Sequence, residues 1–298
     1  MIATVRTRGA QWLCGACAFV LTSGLASGSS EAQVNDGRVS FTTGIDFSHA
    51  YFFRGIRQER EGFIAQPYGD INFDFYSNPD GQGLTAVSFT LGQWNSLHSA
   101  STGADEMSAN VPGWYESDFY TGVTLLIDNW EAGIVYTAYT SPSHAFGTTQ
   151  ELALSLQMDD SGLLGGLSLF PHALLAFETA GGADGGADEG VYLELGIEPG
   201  LTLVEDAASV SFPVTLGFSL GGYYENGLPD GAPGHFRDGF GFFGVGAMLA
   251  VPLPVAESFG AWELAGGVQL LSLGGYLEAL NDGDPTQVVG LFGISIGY

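Results

Sequence analysis

Val39-Ser40-Phe41-Thr42-Thr43-Gly44-Ile45-Asp46-Phe47-Ser48-His49-Ala50-Tyr51-Phe52-Phe53 is the stretch on which the fold turns. Its odd positions read Val, Phe, Thr, Ile, Phe, His, Tyr, Phe, and its even positions Ser, Thr, Gly, Asp, Ser, Ala, Phe. A period of two sends alternate side chains to opposite faces of a strand, so one face is apolar and the other polar. The same period recurs at 63–75, 87–91, 119–127, 130–138, 152–158, 167–177, 191–197, 210–220, 243–253, 262–270 and 288–298, giving twelve predicted strands. Between them, long polar loops (54–61, 95–113, 141–149, 180–189, 225–238, 274–286) alternate with short connections (78–81, 128–129, 159–162, 205–208, 255–259).

An even number of antiparallel strands with short turns at one end and long loops at the other describes an outer-membrane barrel. A bilayer offers no water to exposed N–H and C=O groups, so a spanning sheet must close on itself, with about ten residues per strand. A soluble exported sandwich also alternates, but it turns its apolar faces into a core and needs no alternation of connection lengths. The expected fold is therefore all-β, a single antiparallel transmembrane β-barrel of about 12 strands.

Composition agrees. The chain has 298 residues, 45% hydrophobic, with 46 glycines and a net charge of −26. That apolar and aromatic content excludes a disordered acidic chain. All seven basic residues are arginine, and so few positive charges among so many acids exclude nucleic acid as a partner. No uninterrupted apolar run is long enough for a membrane helix.

Residues 1–32 read as a secretory signal: Arg6 and Arg8 precede an apolar segment at 12–21, followed by small residues. That segment is too short to span a bilayer, which takes about twenty residues. Cleavage is expected after Ala32, with Ala26 as the other small-residue position, and 33–298 form the barrel. Both cysteines, Cys14 and Cys17, lie in the signal, so the mature domain forms no disulfide.

With the apolar faces toward lipid, the opposite faces carry Asp46, Asp70, Asp74, Glu116, Asp118, Glu131, Glu151, Glu178, Glu194, Glu198 and Glu263. Against these acids stands one inward base, Arg54, and small residues such as Ser40, Gly44, Ser88, Gly217, Gly221 and Gly293 are expected to leave room for water. Carboxylates lining a low-dielectric bore favour cations. The expected function is an outer-membrane porin-like channel for passive diffusion of small hydrophilic, preferentially cationic, solutes, with the longest loop, 95–113, as a candidate inward plug. The alternative is a non-conducting structural or adhesion barrel acting through its extracellular loops.

Arg54, Arg57 and Arg60 cluster with Glu59 and Glu61 in the first outward loop. Such a cluster either pairs with itself at the surface or contacts lipopolysaccharide phosphate or the pore. Phe75, Trp130, Trp262 and Tyr298 fall at the short-turn ends of their apolar faces, as an aromatic girdle requires. The last strand sets Gly290, Phe292, Ile294, Ile296 and Tyr298 on one face, and a final strand ending in an aromatic is similar to the signal read by bacterial barrel-assembly machinery.

Other motifs lead to no assignment. Gly239, Gly241 and Gly244 spell G-x-G-x-x-G, but they lie in a strand pattern with no following helix. Asp282 and Asp284, or Asp184, Asp188 and Glu189, lack the full spacing of a calcium loop. The five histidines (His49, His98, His144, His172, His235) are too scattered for a zinc signature. His98 beside Ser99 suggests a nucleophile and base, yet adjacent residues face each other poorly. No enzyme activity, cofactor or metal is expected.

Strand one and its loop, Ser48-His49-Ala50-Tyr51-Phe52-Phe53-Arg54-Gly55-Ile56-Arg57-Gln58, resemble the opening of the TorF-type family of porin-like exported bacterial proteins, whose members show Ser, Tyr and aromatic-Arg-Gly-x-Ser-Gln. Tyr115-Glu116-Ser117-Asp118-Phe119-Tyr120-Thr121-Gly122 looks like that family's acidic-aromatic-Gly strand. Gly133 to Tyr136, Tyr139, Pro142 and Glu151 are similar to its Gly-x-x-Tyr, Tyr, Pro and Glu pattern. One extra residue separates Ser48 from Tyr51, and Arg57 stands where the family has Ser. The resemblance implies an outer-membrane barrel and a pore, and no substrate or catalytic residue.

Overall fold

A computed structural model describes residues 37–60, 62–78, 81–99, 113–161, 163, 168–184, 186, 189–204, 207–228 and 230–298. The expected signal at 1–32 lies outside the described residues, as do 100–112 at the centre of the long loop.

Twelve antiparallel strands close a barrel: β1 (Val39–Ser48), β4 (Ile64–Ser77), β5 (Leu84–His98), β6 (Gly113–Ile127), β7 (Trp130–Thr140), β8 (Thr149–Met158), β9 (His172–Ala180), β10 (Val191–Ile197), β13 (Val214–Gly221), β14 (Phe240–Pro252), β15 (Ala261–Leu273) and β16 (Thr286–Gly297). Closure comes from β1 pairing with β16, Ile45 opposite Ile294 and Asp46 opposite Gly293. Phe41 and Tyr298 exchange backbone hydrogen bonds of 2.8 Å each, so the last residue completes the seam. Closure gives every wall strand a partner on both edges, which is what a strand needs in hydrocarbon. A hairpin of β11 (Gly200–Val204) and β12 (Ala208–Ser211) extends the β10–β13 corner and pairs with β14. Among the described residues no helix is long and apolar enough to cross a membrane.

The apolar faces point out. Phe41, Ile71, Leu91, Phe119, Ile134, Leu154, Leu195, Phe243, Val268, Val288 and Phe292 are all exposed around the circumference. Phe75, Trp130 and Tyr298 are exposed at the short-turn rim, and Trp262 there donates its indole N–H to the Phe259 carbonyl at 2.8 Å. A closed wall with an apolar exterior and a polar interior is an outer-membrane barrel, and the bacterial outer membrane is where the chain belongs.

The structure corrects the sequence reading at five places, the first being the strand expected at 210–220, which is divided between β12, ending at Ser211, and β13, beginning at Val214. Strand one ends at Ser48 rather than at Phe53, because β2 (Tyr51–Phe53) and β3 (Ile56–Glu59) form a separate two-stranded hairpin. Strand β5 runs on through Asn95 to His98, which were expected in a loop. The ninth-strand segment begins at His172 rather than at 167, after Phe170, with φ of +47°, and Pro171, which donates no backbone bond. A six-residue helix, α1 (Gly275–Leu280), lies in the last loop.

Candidate functional site

The β2–β3 hairpin folds into the loop-side half of the barrel. Its signal was already present in the sequence: alternation fails at Ala50-Tyr51-Phe52-Phe53, where both faces become apolar, as in a strand buried on two sides. Ala50, Tyr51, Phe52, Phe53 and Ile56 are each 5% exposed or less. Burying large apolar side chains of this kind contributes on the order of 1.5–3 kcal/mol each. The hairpin turns on Arg54 and Gly55, with φ of +49° and +81°. Two central residues at positive φ make the two-residue turn whose twist suits a tight hairpin. Gly55 is required twice over, since a Cβ there would also meet Leu277 Cδ1 of α1 at 2.6 Å.

Arg54 anchors the tip to the wall. Its Nη1 and Nη2 donate to Glu151 Oε2 and Oε1 at 2.6 and 2.8 Å, a two-pronged pair in which both side chains are buried. Nη1 also donates to Tyr223 Oη at 2.9 Å, and the guanidinium lies 4.2 Å from the Tyr192 ring centre. Tyr224 Oη donates to the Arg54 carbonyl at 2.9 Å, and Tyr139 Oη to Glu151 Oε1 at 3.2 Å. On the hairpin's other side Tyr51 Oη donates to Glu116 Oε2 at 3.0 Å. Arg57 donates to Asn281 Oδ1 at 3.0 Å and Asp282 Oδ2 at 3.1 Å, while the exposed Arg60 pairs with the same Asp282 carboxylate. These two guanidiniums hold the Asp282 carboxyl below the usual range.

The expected outward cluster of Arg54, Arg57 and Arg60 is therefore divided. Arg54 and Arg57 are 2% and 7% exposed, and Arg60 faces solvent. A bare arginine buried in the barrel needs a carboxylate, and the sequence could not show that Glu151, 97 positions on, supplies it. The inward small residues also need correction. A Cβ at Gly44 would meet Tyr68 Oη at 2.5 Å, and one at Gly217 would strike Phe242, so these glycines accommodate rings rather than water.

Ten of the eleven acids fall on the inward register of their strands, and Glu198 lies one residue beyond β10. Glu116, Asp118, Glu151 and Glu178 lie in the loop-side half around the hairpin, and each is buried. Asp46, Asp70 and Glu194 lie further down, with Tyr192 Oη donating to Glu194 at 2.7 Å and Asn72 donating to Asp70 at 2.8 Å. Asp74, Glu131, Glu198 and Glu263 sit at the short-turn ends of β4, β7, β10 and β15. Acids thus line both halves of the lumen, and the hairpin packs the loop half.

A second cluster went unnoticed in the sequence. Ser96, not Ser99, meets His98: Ser96 Oγ lies 2.7 Å from His98 Nε2, since residues two apart share a strand face. His98 Nδ1 is 3.7 Å from Glu59 Oε2 of the hairpin, and the imidazole stacks on Tyr115 at 4.5 Å. The 3.7 Å separation is too long for a hydrogen bond, and Ser96 is wholly buried.

No family model matches the chain, and no curated protein matches it. Among solved structures it is similar to an outer membrane channel from Pseudomonas putida F1, at 10% identity over 88% of this chain and 96% of that one, with a TM-score of 0.49. It is also similar to LpxR from Salmonella typhimurium, at 10% identity, 86% and 99% coverage and a TM-score of 0.44. The transport unit of the autotransporter AIDA-I from Escherichia coli gives 12% identity, 90% and 92% coverage and a TM-score of 0.41. Likeness at this level carries no argument about activity. The barrel stands on its own pairing and on the faces of its strands.

Proposed function

We propose that the chain is a gated, porin-like channel for small hydrophilic solutes, cations in preference to anions, with the β2–β3 hairpin as its gate. The observation that carries the reading is a hairpin packed inside an acid-lined lumen. Acids toward the turn side lead to a plug held by its buried apolar side chains and by polar contacts, chiefly Arg54 with Glu151. Carboxylates in a low-dielectric bore concentrate cations, and a hairpin that belongs to a sheet separate from the wall can move aside without breaking it. The TorF-type resemblance and recognition of the final strand by assembly machinery belong to this same reading. No catalytic residue is assigned, because Ser96 is buried and His98 stands apart from Glu59.

The packed interior of the loop half favours a second reading, a barrel that conducts nothing and acts through its outer surface. Planar-bilayer recording separates the two. The refolded protein in a potassium chloride gradient is expected to give brief openings with a reversal potential toward potassium. A variant with residues 51–59 replaced by a Gly/Ser linker is expected to stay open. Silence from both proteins assigns the structural reading, and a chloride-directed reversal potential overturns cation preference.

A further inference from the structure

The connection between β13 and β14 carries three potential metal donors that the channel reading does not use. Glu225, Asp230 and His235 each present one donor atom, and the three lie within 4.8 Å of one another. Four residues separate each from the next, a spacing with no recognisable metal motif, and the loop's own hydrogen bonds gather them. Asn226 N donates to the Phe236 carbonyl at 3.0 Å, Asn226 Nδ2 to the Gly234 carbonyl at 2.7 Å, and Phe236 N to Asn226 Oδ1 at 3.2 Å. A backbone bridge joins Glu225 to Arg237. The loop is thus preformed, and its base continues into Tyr223 and Tyr224, which hold Arg54.

Two independent features point to a ligand. His235 Nδ1 lies 2.8 Å from the Leu228 carbonyl oxygen, which only accepts, so Nδ1 carries a proton and donates it. In neutral imidazole the lone pair then falls on Nε2, which faces Asp230 Oδ1 at 3.0 Å. Two acceptors at that distance need a positive centre between them. Donation of the second ring nitrogen to a backbone carbonyl is the arrangement that orients histidines bound to metals. The other feature is Glu225. Its side chain is 3% exposed, and one of its carboxylate oxygens reaches the same point as the Asp230 and His235 donors. A buried carboxylate costs several kcal/mol unless a cation or hydrogen-bond donors accompany it.

We propose that Glu225, Asp230 and His235 bind a divalent transition-metal ion of the zinc class. One imidazole nitrogen and two carboxylate oxygens suit such an ion better than calcium or magnesium, which prefer all-oxygen shells. Zinc–nitrogen and zinc–oxygen bonds of about 2.0–2.2 Å set ligand atoms somewhat over 3 Å apart, which the cluster reaches by a small closure. Arg237 Nη1 stands 3.7 Å from Asp230 Oδ2. Both of those side chains are exposed, which leaves Asp230 free to turn toward the ion.

The competing account is an imidazolium at His235 neutralising Asp230 with no metal. Calorimetric titration of the full chain in detergent with zinc chloride at neutral pH distinguishes them. One site is expected, weakened at least tenfold in both His235→Ala and Glu225→Gln, while Asp284→Asn binds as the unaltered chain does. Cobalt(II) in place of zinc is expected to give a visible d–d absorption band that His235→Ala abolishes, a readout independent of channel activity. Absence of zinc binding, or binding unchanged by both loop substitutions, overturns the proposal.

Discussion

At the scale of single residues, Arg54 shows how the fold accommodates a buried charge. The guanidinium has exchanged water for Glu151, Tyr223 and the Tyr192 ring. A pair of this kind contributes little beyond a well-packed apolar replacement, but removing one partner leaves the other stranded, at a cost of about 3–5 kcal/mol. Arg54→Leu and Glu151→Leu are each expected to lower the stability of the hairpin region strongly, and the double variant is expected to lose less than either single change. Denaturant unfolding in detergent gives the four stabilities of that cycle. Additive losses in the double variant would show that the two side chains do not act as a unit. Legibility at this scale was uneven. The two-residue period places the strand-borne acids on one face, whereas the partner of Arg54 depends on barrel closure, which no local pattern encodes.

Among the elements, the β2–β3 hairpin is fastened at its outer corner by Arg57 and Arg60 to Asp282, in the loop that follows α1. Because the guanidiniums favour the ionised form, the Asp282 carboxyl titrates below its ordinary value of 3.8 in the folded protein. Its contribution is complete above that ordinary value and is lost as pH falls through the depressed one. The hairpin amides at Ile56–Glu59 are therefore expected to lose hydrogen-exchange protection as pH is lowered from about 6 to about 2.5, after correction for intrinsic exchange. Asp282→Asn should already be less protected at the upper end and should change less over the range. Identical profiles for the two proteins would remove Asp282 from the fastening. The hairpin itself was readable in part, since Ala50-Tyr51-Phe52-Phe53 broke the alternation and Arg54-Gly55 supplied a two-residue turn. What misled was the general habit of loops to run outward. The inward course is set by the pocket of Tyr192, Tyr223 and Tyr224, assembled from β10 and the connection that follows its neighbour β13.

For the whole molecule, charge and topology together decide what enters the barrel. Asp74, Glu131 and Glu263 lie in three separate strands and Glu198, which is buried, just beyond a fourth, yet all lie within a few residues of a short turn or its neighbouring link, so closure gathers them around one mouth. Glu116 and Asp118 face the same lumen from β6, but they are buried beneath the hairpin. A field at the mouth acts on every ion that approaches, whereas carboxylates packed among aromatics do not meet the solution. In the linker variant that opens the bore, Asp74→Asn, Glu131→Gln, Glu198→Gln and Glu263→Gln combined are expected to bring the cation-to-anion permeability ratio from well above one toward unity. The loss should be largest at low salt, where the Debye length is about 30 Å at 0.01 M, and smaller at 1 M, where it is about 3 Å. The matching Glu116→Gln and Asp118→Asn variant, built without the linker, is expected to leave the selectivity of the rare native openings near its starting value. Reversal potentials across a salt gradient supply both comparisons. If the four-acid variant keeps its preference, the selectivity resides elsewhere in the bore and the mouth is only a solvated rim.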